Sequence, residues 1–593
     1  MIQQRLQALR EVMRREHLSA FIFPSTDPHN SEYVADYWKS REWISGFNGS
    51  AGTAVVTMTA AALWTDSRYF LAAEEQLRGT SFVLMKEKIK GTPTIAEWLG
   101  QELKEEHGAE VGIDGQVCSV NEVRQLIADL RHQGGITLRT NLDPLTRIWA
   151  DRPALPDHPV VIHPLEYAGE AASDKMARIR RGMLEKHADG LLMSALDDIA
   201  WTLNLRGSDV HCHPVFVSYL LMTMHDAVLY IDARKLSGEV QDYLKQLGVR
   251  VADYKQVKEG LKRYLEYNIL MDPNEMNYTL YSQVKRPIVE DVLPVKTMKI
   301  VKNEAEIAGF RRAMVRDGVA LVKLLRWLQE NVPQGTVTEM SVDSKLTALR
   351  AEQDLFRGLS FDTIAGYQEH GAIVHYAATP ETDVVLQPEG FLLLDSGTQY
   401  QDGTTDVTRT IALGKLTEEQ KRIYTLVLKG HIQLQLLKFP DGAAGTQLDA
   451  IARRDLWKAG LNFLHGTGHG VGSYLSAHEG PHQIRMEWKP TRLHKGMTVT
   501  DEPGIYVDGQ FGVRIENLLL VTDYLETAYG KFLQFETLTL CPIDRTPILT
   551  HLLTQEEIDW LNHYHQYVYE QLAPYLNEEE KTWLRRETTE ILQ

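Results

Sequence analysis

Two aspartates in the later half of this 593-residue chain lie next to predicted strands, where a buried carboxylate would need an ion-pair partner or a metal ion. Asp395 ends the apolar run FLLL, and Asp406 opens the β-branched segment DVTRTI after the sequence QDG. This order predicts a hairpin whose two strands carry Asp395 and Asp406. A carboxylate at the end of an apolar strand is costly to bury unless it is paired or binds a metal. A structural role in the turn explains Asp402, but such a role explains Asp395 poorly.

Histidines gather in the glycine-rich segment HGTGHGVG, which contains His465 and His469, with His478 shortly after it. Two histidines four apart would share a helix face, but the intervening glycines make a helix unfavourable. We therefore predict a loop or strand whose backbone approaches another group closely. A lone histidine is usually a polar residue with satisfied hydrogen bonds. Three within 14 positions favour a functional site.

Two further motifs place carboxylates beside apolar strands. Glu502 lies in TDEPGIY, and Glu516 lies in GVRIEN before the apolar run LLLV. Strand alternation puts Arg514 and Glu516 on one face, so an ion pair could explain those two residues. That pairing does not explain Glu502.

Taken together, the motifs supply four carboxylates and one imidazole. Oxygen-rich donors with one nitrogen favour a hard divalent ion such as manganese, although cobalt and zinc remain open. Four negative charges match two divalent cations, and a water held between such ions would have its pKa lowered from ~15.7 toward ~7. The candidate ligands of this dinuclear centre are Asp395, Asp406, His469, Glu502 and Glu516.

A long-period repeat organises the first half of the chain. MRREH at 13–17 and MLEKH at 183–187 each precede an apolar run, and a later apolar strand in each copy ends in Asp-x-Arg, at Asp66 and Asp232. Trp43 and Trp201 each stand six residues before a Gly-Ser pair. Matches in the same order predict two homologous α/β domains.

Proline and capping signals mark the boundaries between domains. Five prolines between 144 and 164 indicate an extended linker. Asn303 followed by Glu306 predicts a capped helix, and apolar positions spaced by three and four continue it. We predict two α/β domains at 1–157 and 158–298, and a third, catalytic domain with a helical tail at 299–593.

Composition narrows the class of protein. Apolar residues make up 43% and charged residues 24%, as in folded soluble chains. The net charge of −17 disfavours nucleic-acid binding, and three scattered cysteines exclude a disulfide framework. No run reaches the ~18 to 20 apolar residues of a membrane span, and the amphipathic N-terminus does not have the pattern of a signal peptide. We expect a cytoplasmic protein with no membrane partner.

The motifs in combination resemble the pita-bread metallopeptidases, and the whole chain resembles the long, three-domain Xaa-Pro aminopeptidases of that family. The resemblance rests on LLLDSGTQYQDGTTDVTRT, HGTGHGVG, TDEPGIY and GVRIENLLLV, and also on SEYVADYW and WTDSRYF nearer the N-terminus. It implies an α/β (α+β) chain in which two creatinase-type domains precede a pita-bread domain. It also implies a homodimer.

The resemblance assigns roles to the five candidate ligands. Asp395 corresponds to a ligand of one metal, and His469 and Glu502 correspond to ligands of the other. Asp406 and Glu516 correspond to the bridging carboxylates. Glu502 also matches the general base.

The same resemblance implies how substrate is held. His375 matches a histidine on the leaving-group side, although taken alone it would be interpreted as a strand residue. His478 matches one that bonds the scissile region, and His465 matches one that lines the proline pocket. Tyr506 and Arg514 match supporting positions.

The implied activity is hydrolysis of the bond between any N-terminal residue and a following proline in peptides. A prolidase would share the ligands but accept only dipeptides, and the duplicated N-terminal domains favour the aminopeptidase. A metal-free pita-bread binding module is a further alternative, which elemental analysis would identify. An α/β scaffold of ion-paired acids would leave the glycine-rich histidine segment unexplained.

Overall fold

The first α/β domain predicted from the repeat is a six-stranded sheet flanked by helices in the computed structural model, which describes residues 1–593. The strand order is β4-β3-β2-β1-β5-β6. The strands are β1 (Ala20–Phe23), β2 (Thr53–Thr57), β3 (Ala61–Thr65), β4 (Phe82–Lys86), β5 (Glu110–Ile113) and β6 (Thr137–Arg139). The helices are α1 (Ile2–Arg15), α2 (Ser40–Ser45), α3 (Phe70–Gln76), α4 (Ile95–Glu102) and α5 (Val120–His132).

A second six-stranded sheet repeats this topology with the order β12-β11-β10-β8-β13-β14, while β7 and β9 pair separately. The strands are β7 (Val161–Ile162), β8 (Gly190–Met193), β9 (Leu205–Arg206), β10 (Tyr219–Thr223), β11 (Ala227–Tyr230), β12 (Val249–Ala252), β13 (Ile269–Met271) and β14 (Ile288–Glu290). The helices are α6 (Leu165–Ala168), α7 (Ala172–Glu185), α8 (Leu196–Leu203), α9 (Gly238–Gln246), α10 (Val257–Lys262), α11 (Tyr278–Gln283) and α12 (Pro294–Lys299).

The motifs that revealed the repeat occupy equivalent places in the two sheets. His17 and His187 end their helices in the left-handed region, at φ 57° and 55°. Asp66 and Asp232 each cap a short 3-10 helix by accepting a hydrogen bond from the backbone N–H two residues on. Parallel and antiparallel pairings also match strand for strand. The predicted duplication is therefore confirmed.

The remaining chain combines long helices with small, mostly antiparallel sheets. Its helices are α13 (Glu304–Asn331), α14 (Glu339–Ala351), α15 (Glu418–Leu436), α16 (Gly445–Lys458), α17 (Gln555–Leu572) and α18 (Glu578–Glu587). Its strands are β15 (Phe356–Leu359), β16 (Ile364–Tyr367), β17 (Phe391–Ser396), β18 (Thr398–Tyr400), β19 (Gly403–Thr404), β20 (Val407–Ala412), β21 (Phe439–Pro440), β22 (Gly468–Gly470), β23 (Glu479–Ile484), β24 (Thr498–Asp501), β25 (Gly504–Val507), β26 (Phe511–Arg514), β27 (Asn517–Thr527) and β28 (Gly530–Thr537).

Helix α13 begins where its capping residues predict. The Asn303 side chain accepts from the Glu306 N–H at 2.9 Å, and the Glu306 carboxylate accepts from the Asn303 N–H at 3.1 Å. This capping box satisfies two backbone donors that a helix start leaves unpaired. The 28-residue helix shares a hydrophobic cluster with β17 and β20, the strands of the hairpin between Asp395 and Asp406.

The chain forms two compact units, residues 1–163 with 170–296 and residues 164–169 with 297–593. In the second unit β17 is buried on both faces, as its continuous apolar run predicts. Leu392 and Leu394 join a cluster with α13 and α14 residues, whereas Leu393 packs with Ile364 and Tyr376. None of the helices combines the length and apolarity needed to span a bilayer.

Candidate metal centre

The predicted hairpin positions the first two carboxylates. Strands β17 and β20 pair antiparallel with Asp395 opposite Thr408, and Asp406 immediately precedes β20. Both carboxylates are buried, with 7% and 3% of each residue exposed. Two short strands, β18 and β19, lie between them and flank the predicted turn as an inner hairpin; the sequence did not predict these as separate strands.

Asp402 lies in the turn of that inner hairpin, as predicted, but it is not a surface residue. Only 1% of it is exposed, and its carboxylate accepts hydrogen bonds from Arg312 and Arg316 on α13. The two guanidinium groups compensate the buried charge, so Asp402 anchors the turn.

His469 is presented by strand β22, in agreement with the prediction that the glycine-rich segment is not helical. Its Nδ1–H donates to the Gly470 carbonyl at 2.8 Å, which leaves the Nε2 lone pair available as a ligand. Nε2 lies 3.3 Å from an Asp406 oxygen and 3.6 Å from a Glu502 oxygen. The glycine-rich segment predicted a close approach of its backbone to another group. Gly468 makes this approach, since a Cβ there would overlap the Thr500 carbonyl oxygen of β24.

Glu502 and Glu516 complete a cluster of four donors. Glu502 follows β24, and its N–H donates to the Thr467 carbonyl at 2.8 Å. Glu516 lies between β26 and β27, where the Thr408 hydroxyl donates to its Oε1 at 2.8 Å. One ligand atom from each of Asp406, His469, Glu502 and Glu516 lies within 4.8 Å of the others.

Asp395 stands beside this cluster rather than within the same 4.8 Å group. Its Oδ2 accepts from Arg514 Nε and Nη2 at 3.1 and 2.8 Å, and its Oδ1 has no partner. Burial and the negative charges of Asp406 and Glu502 raise its pKa, while Arg514 limits the increase, so the pKa of Asp395 is about 7.

The other pKa shifts show that this many acids cannot all be ionised without a cation. Burial and the neighbouring carboxylates raise the pKa of Glu516 well above its ordinary value. Burial alone would raise the pKa of Glu502, but interactions with the neighbouring Glu516 and His469 side chains outweigh it and lower that pKa. Burial opposes the charged form of His469, yet the adjacent carboxylates of Asp406 and Glu502 raise its pKa.

The buried donor atoms fit divalent cations. Asp395 Oδ1, His469 Nε2 and Glu516 Oε2 are buried without a hydrogen-bond partner. Native proteins rarely leave such atoms unpaired, because each loses its hydration on burial. Carboxylate oxygens with one imidazole are a donor set for hard or borderline divalent ions, and cations here would neutralise the facing acids.

A directed hydrogen-bond chain links Asp395 to His465. Arg514 Nη1 donates to the Tyr506 oxygen at 2.8 Å, and the Tyr506 hydroxyl pairs with His465 Nε2 at 2.7 Å. Since His465 Nδ1 donates to the Gly466 carbonyl, its Nε2 accepts from Tyr506. Burial raises the pKa of Tyr506 to about 12 and lowers the pKa of His465 to about 4, so both groups stay neutral.

The two remaining histidines lie in different settings. The His478 ring stacks edge-on against His469 at 4.5 Å, and one of its ligand atoms lies within 4.8 Å of those of Asp406 and His469. His375 lies in a turn after the 3-10 helix Gln368–Ala372, so its interpretation as a strand residue was wrong. The carbonyl before it, of Val374, accepts from Arg514 Nη2 at 3.3 Å.

Sequence reasoning missed Thr408, which orients Glu516 from the facing strand. Its only local signal was a β-branched residue in a predicted strand, and nothing in the sequence pairs position 408 with position 516.

Comparison with known families agrees with this architecture. A family model described as "Metallopeptidase family M24" matches residues 308–523, and one described as "C-terminal region of peptidase_M24" matches 531–591. Models of the creatinase/prolidase N-terminal domain match 5–139 and 151–306. The predicted arrangement of two creatinase-type domains before a pita-bread domain is thereby confirmed.

Relatives match over almost the full chain. A probable Xaa-Pro aminopeptidase P of Paracoccidioides brasiliensis is 40% identical over 615 residues, covering 99% of each chain. Aminopeptidase P1 of Arabidopsis thaliana is 38% identical over 643 residues, again covering 99% of each. A solved structure of X-prolyl aminopeptidase from Caenorhabditis elegans, described as a cytosolic enzyme with a di-nuclear active site, matches with a TM-score of 0.96 at 36% identity and covers both chains completely.

The chain therefore belongs to metallopeptidase family M24 and carries the creatinase/prolidase N-terminal domains. It is a hydrolase of peptide bonds.

Proposed function

We propose that this protein is a metal-dependent Xaa-Pro aminopeptidase that releases any N-terminal residue preceding proline from peptides. The observation that carries the proposal is the convergence of Asp406, His469, Glu502 and Glu516, with Asp395 beside them. The activities for which the full-length relatives are named support the substrate class.

Five side chains would hold two divalent ions, which we propose to be manganese, with cobalt or zinc as alternatives. Asp395 would bind one ion, His469 and Glu502 the other, and Asp406 and Glu516 both. The di-nuclear active site described for the Caenorhabditis enzyme supports the count of two. Ions bound here would polarise the scissile carbonyl and lower the pKa of a water between them, which makes hydroxide available for attack.

The chain's own residues would bind substrate and move protons. Glu502, which matches the general base of the family that the chain resembles, would accept the proton of the attacking water. His478, packed against His469, would hydrogen-bond the scissile region, and His375 would lie on the leaving-group side. Neutral His465, held by Tyr506, would line the pocket for the proline ring, which lacks a hydrogen to donate.

The first test combines metal removal with one substitution. Apoprotein prepared with a chelator should not hydrolyse Arg-Pro-Pro, and added Mn²⁺ should restore activity. Glu516→Ala should remain at least about 10³-fold less active with Mn²⁺, because a site that stabilises the transition state by several kcal/mol is lost. The matched control is Glu526→Ala, an exposed glutamate on β27, the strand that begins immediately after Glu516, and it should behave like wild type.

Chelator-resistant cleavage, or full activity of Glu516→Ala, would contradict a metal mechanism. The same assay with Gly-Pro separates the aminopeptidase from a prolidase, because a strict dipeptidase would cleave Gly-Pro and leave Arg-Pro-Pro intact. A binding module would hold no metal by elemental analysis.

We also propose that the protein acts in the cytoplasm as a homodimer. The cytosolic Caenorhabditis enzyme supports the location, and the family resemblance supports the dimer.

A further inference from the structure

Asp317 is a buried carboxylate in the middle of α13 that has no part in the site described above. Only 2% of it is exposed. Its oxygens accept two hydrogen bonds from Arg350 at 2.9 and 3.1 Å, and three from the hydroxyls of Thr398, Tyr400 and Thr405 at 2.9, 3.0 and 2.9 Å. One carboxylate thus accepts hydrogen bonds from five donor groups.

Two of those donors, Thr398 and Thr405, lie within the hairpin, between Asp395 and Asp406. Thr398 lies three residues after Asp395, and Thr405 immediately precedes Asp406. The Thr398 N–H donates to the Thr405 hydroxyl oxygen at 2.9 Å, and the Thr405 N–H donates to the Thr398 carbonyl at 2.9 Å. Asp317 therefore holds the two strands together where the chain leaves Asp395 and returns to Asp406.

The surroundings of this junction leave little room for adjustment. A Cβ at Gly397 would overlap the Ser360 hydroxyl and the Thr405 carbonyl oxygen. The Ser360 hydroxyl also donates a hydrogen bond to the Thr405 carbonyl at 2.8 Å. Arg350, fully buried on α14, holds Asp317 through both carboxylate oxygens. The position of the hairpin is thus determined by the pair of helices beneath it.

We propose that Asp317 is a positioning residue for the metal centre, which sets the separation of Asp395 and Asp406 and hence the affinity for the ions. This inference rests on the proposed function, because it assumes that the two aspartates bind metal. Residues that orient metal ligands change affinity by about 10- to 100-fold when removed. Asp317 acts one hydrogen bond further out, through Thr398 and Thr405, so the lower value applies.

The experiment compares Asp317→Asn with Asp402→Asn in the full-length protein. An asparagine keeps the shape but has one acceptor oxygen, which cannot satisfy five donors. Asp402 is a matched control: it is equally buried, belongs to the same hairpin and is bound by arginines of the same helix, but it lies at the tip. Calorimetric titration of each apoprotein with Mn²⁺, together with its midpoint of thermal unfolding, separates affinity from stability.

We expect Asp317→Asn to raise the Mn²⁺ dissociation constant about 10-fold and to regain activity at high Mn²⁺, whereas Asp402→Asn changes the constant less than twofold. Thr405→Val tests the same link if Asp317→Asn does not fold, and Thr405→Ser should restore affinity. Equal Mn²⁺ affinities for Asp317→Asn, or for Thr405→Val, and the control would overturn the inference. Failure of the wild type to bind Mn²⁺, Co²⁺ or Zn²⁺ would instead contradict the proposed function.

Discussion

Asp395 combines two opposing influences at the residue scale. It ends an apolar strand, which favours its neutral form, and it contacts Arg514, which favours its charged form. The outcome is a carboxyl with a pKa of about 7. A cation bound by Asp395, as proposed, would therefore compete with a proton near neutral pH.

We expect Mn²⁺ affinity to rise between pH 6 and pH 8. Below a pKa of about 7 Asp395 is protonated, so metal binding must displace the proton, and affinity falls by up to about tenfold per pH unit for each proton displaced. Titration calorimetry in buffers of different ionisation enthalpy measures both the affinity and the protons released.

Arg514→Gln should move this dependence to higher pH, since Arg514 lowers the pKa of Asp395. Arg311→Gln, at an exposed arginine paired with Glu536, should leave the profile unchanged. An affinity that does not vary from pH 6 to pH 8 would show that no carboxyl proton is displaced.

At the scale of elements, β22 and β24 approach more closely than side chains permit. Gly468 packs against the Thr500 carbonyl, and this contact places His469 beside Glu502. Register alone does not fix the imidazole, because β22 has only three residues. The glycine therefore determines the distance between two strands that carry ligands.

Gly468→Ala should reduce activity about 100-fold. The added Cβ overlaps the Thr500 oxygen, so the backbone must shift, and a displacement of about 1 Å at a catalytic group has an effect of that size. Steady-state hydrolysis of an Xaa-Pro peptide at saturating Mn²⁺ measures it.

Gly460→Ala is the control, at a glycine with φ 74° and open space around it. It should lose thermal stability through backbone strain but keep its activity. If Gly468→Ala is as active as Gly460→Ala, the close approach has no role in the site.

Elements with strong local signals were predictable from the sequence. The Asn303 cap indicated the start of α13, and the apolar run before Asp395 indicated β17. Inner strands β18 and β19 were missed because each has at most three residues, too few for a period to be visible.

The site was predictable to a different extent. The five candidate ligands stand in motifs whose composition points to metal, and the structure brings Asp406, His469, Glu502 and Glu516 together with Asp395 beside them. Thr408 and Asp317 were missed because their importance depends on residues 108 and 81 to 88 positions away. A buried aspartate within a helix sequence looks the same as a solvent-facing one until its partners are known.

At the scale of the whole molecule, the repeat predicted from motifs is realised as two sheets with the same strand order. We propose that the domains meet at 157/158 and 298/299, where the proline-rich linker and the start of α13 interrupt the pattern. The duplication was visible because its markers, such as Asp66 and Asp232, cap turns within each copy.

Five buried histidines make part of the folding stability sensitive to acid. Burial lowers the pKa of each below the value of about 6.5 that it has in an unfolded chain. They are His29, His163 (about 2), His465 (about 4), His482 (about 4) and His565 (about 3). Below pH 6.5 the unfolded chain binds protons that these buried histidines exclude, so their contribution to stability falls as the pH falls.

We expect these histidines to lower the midpoint of thermal unfolding between pH 7 and pH 5, whereas buried carboxyls such as Asp395, whose pKa is about 7, act in the opposite direction. Each histidine removes up to about 1.4 kcal/mol per pH unit between 6.5 and its folded pKa. His565→Gln should weaken the dependence, because His565 Nε2 accepts from the Ile543 N–H and cannot be protonated there in the fold. The control is exposed His551→Gln, and an identical slope in both variants would refute the explanation.

The order of the five candidate ligands along the chain determines when, during synthesis, the proposed metal centre can be completed. Asp395 and Asp406 come from one hairpin, but Glu516 arrives from a strand connection more than a hundred residues later. A chain emerging from the ribosome folds its N-terminal parts first, so the proposed metal centre would stay incomplete until that last carboxylate is translated. Peptide cleavage would therefore begin only after Glu516 has been synthesised.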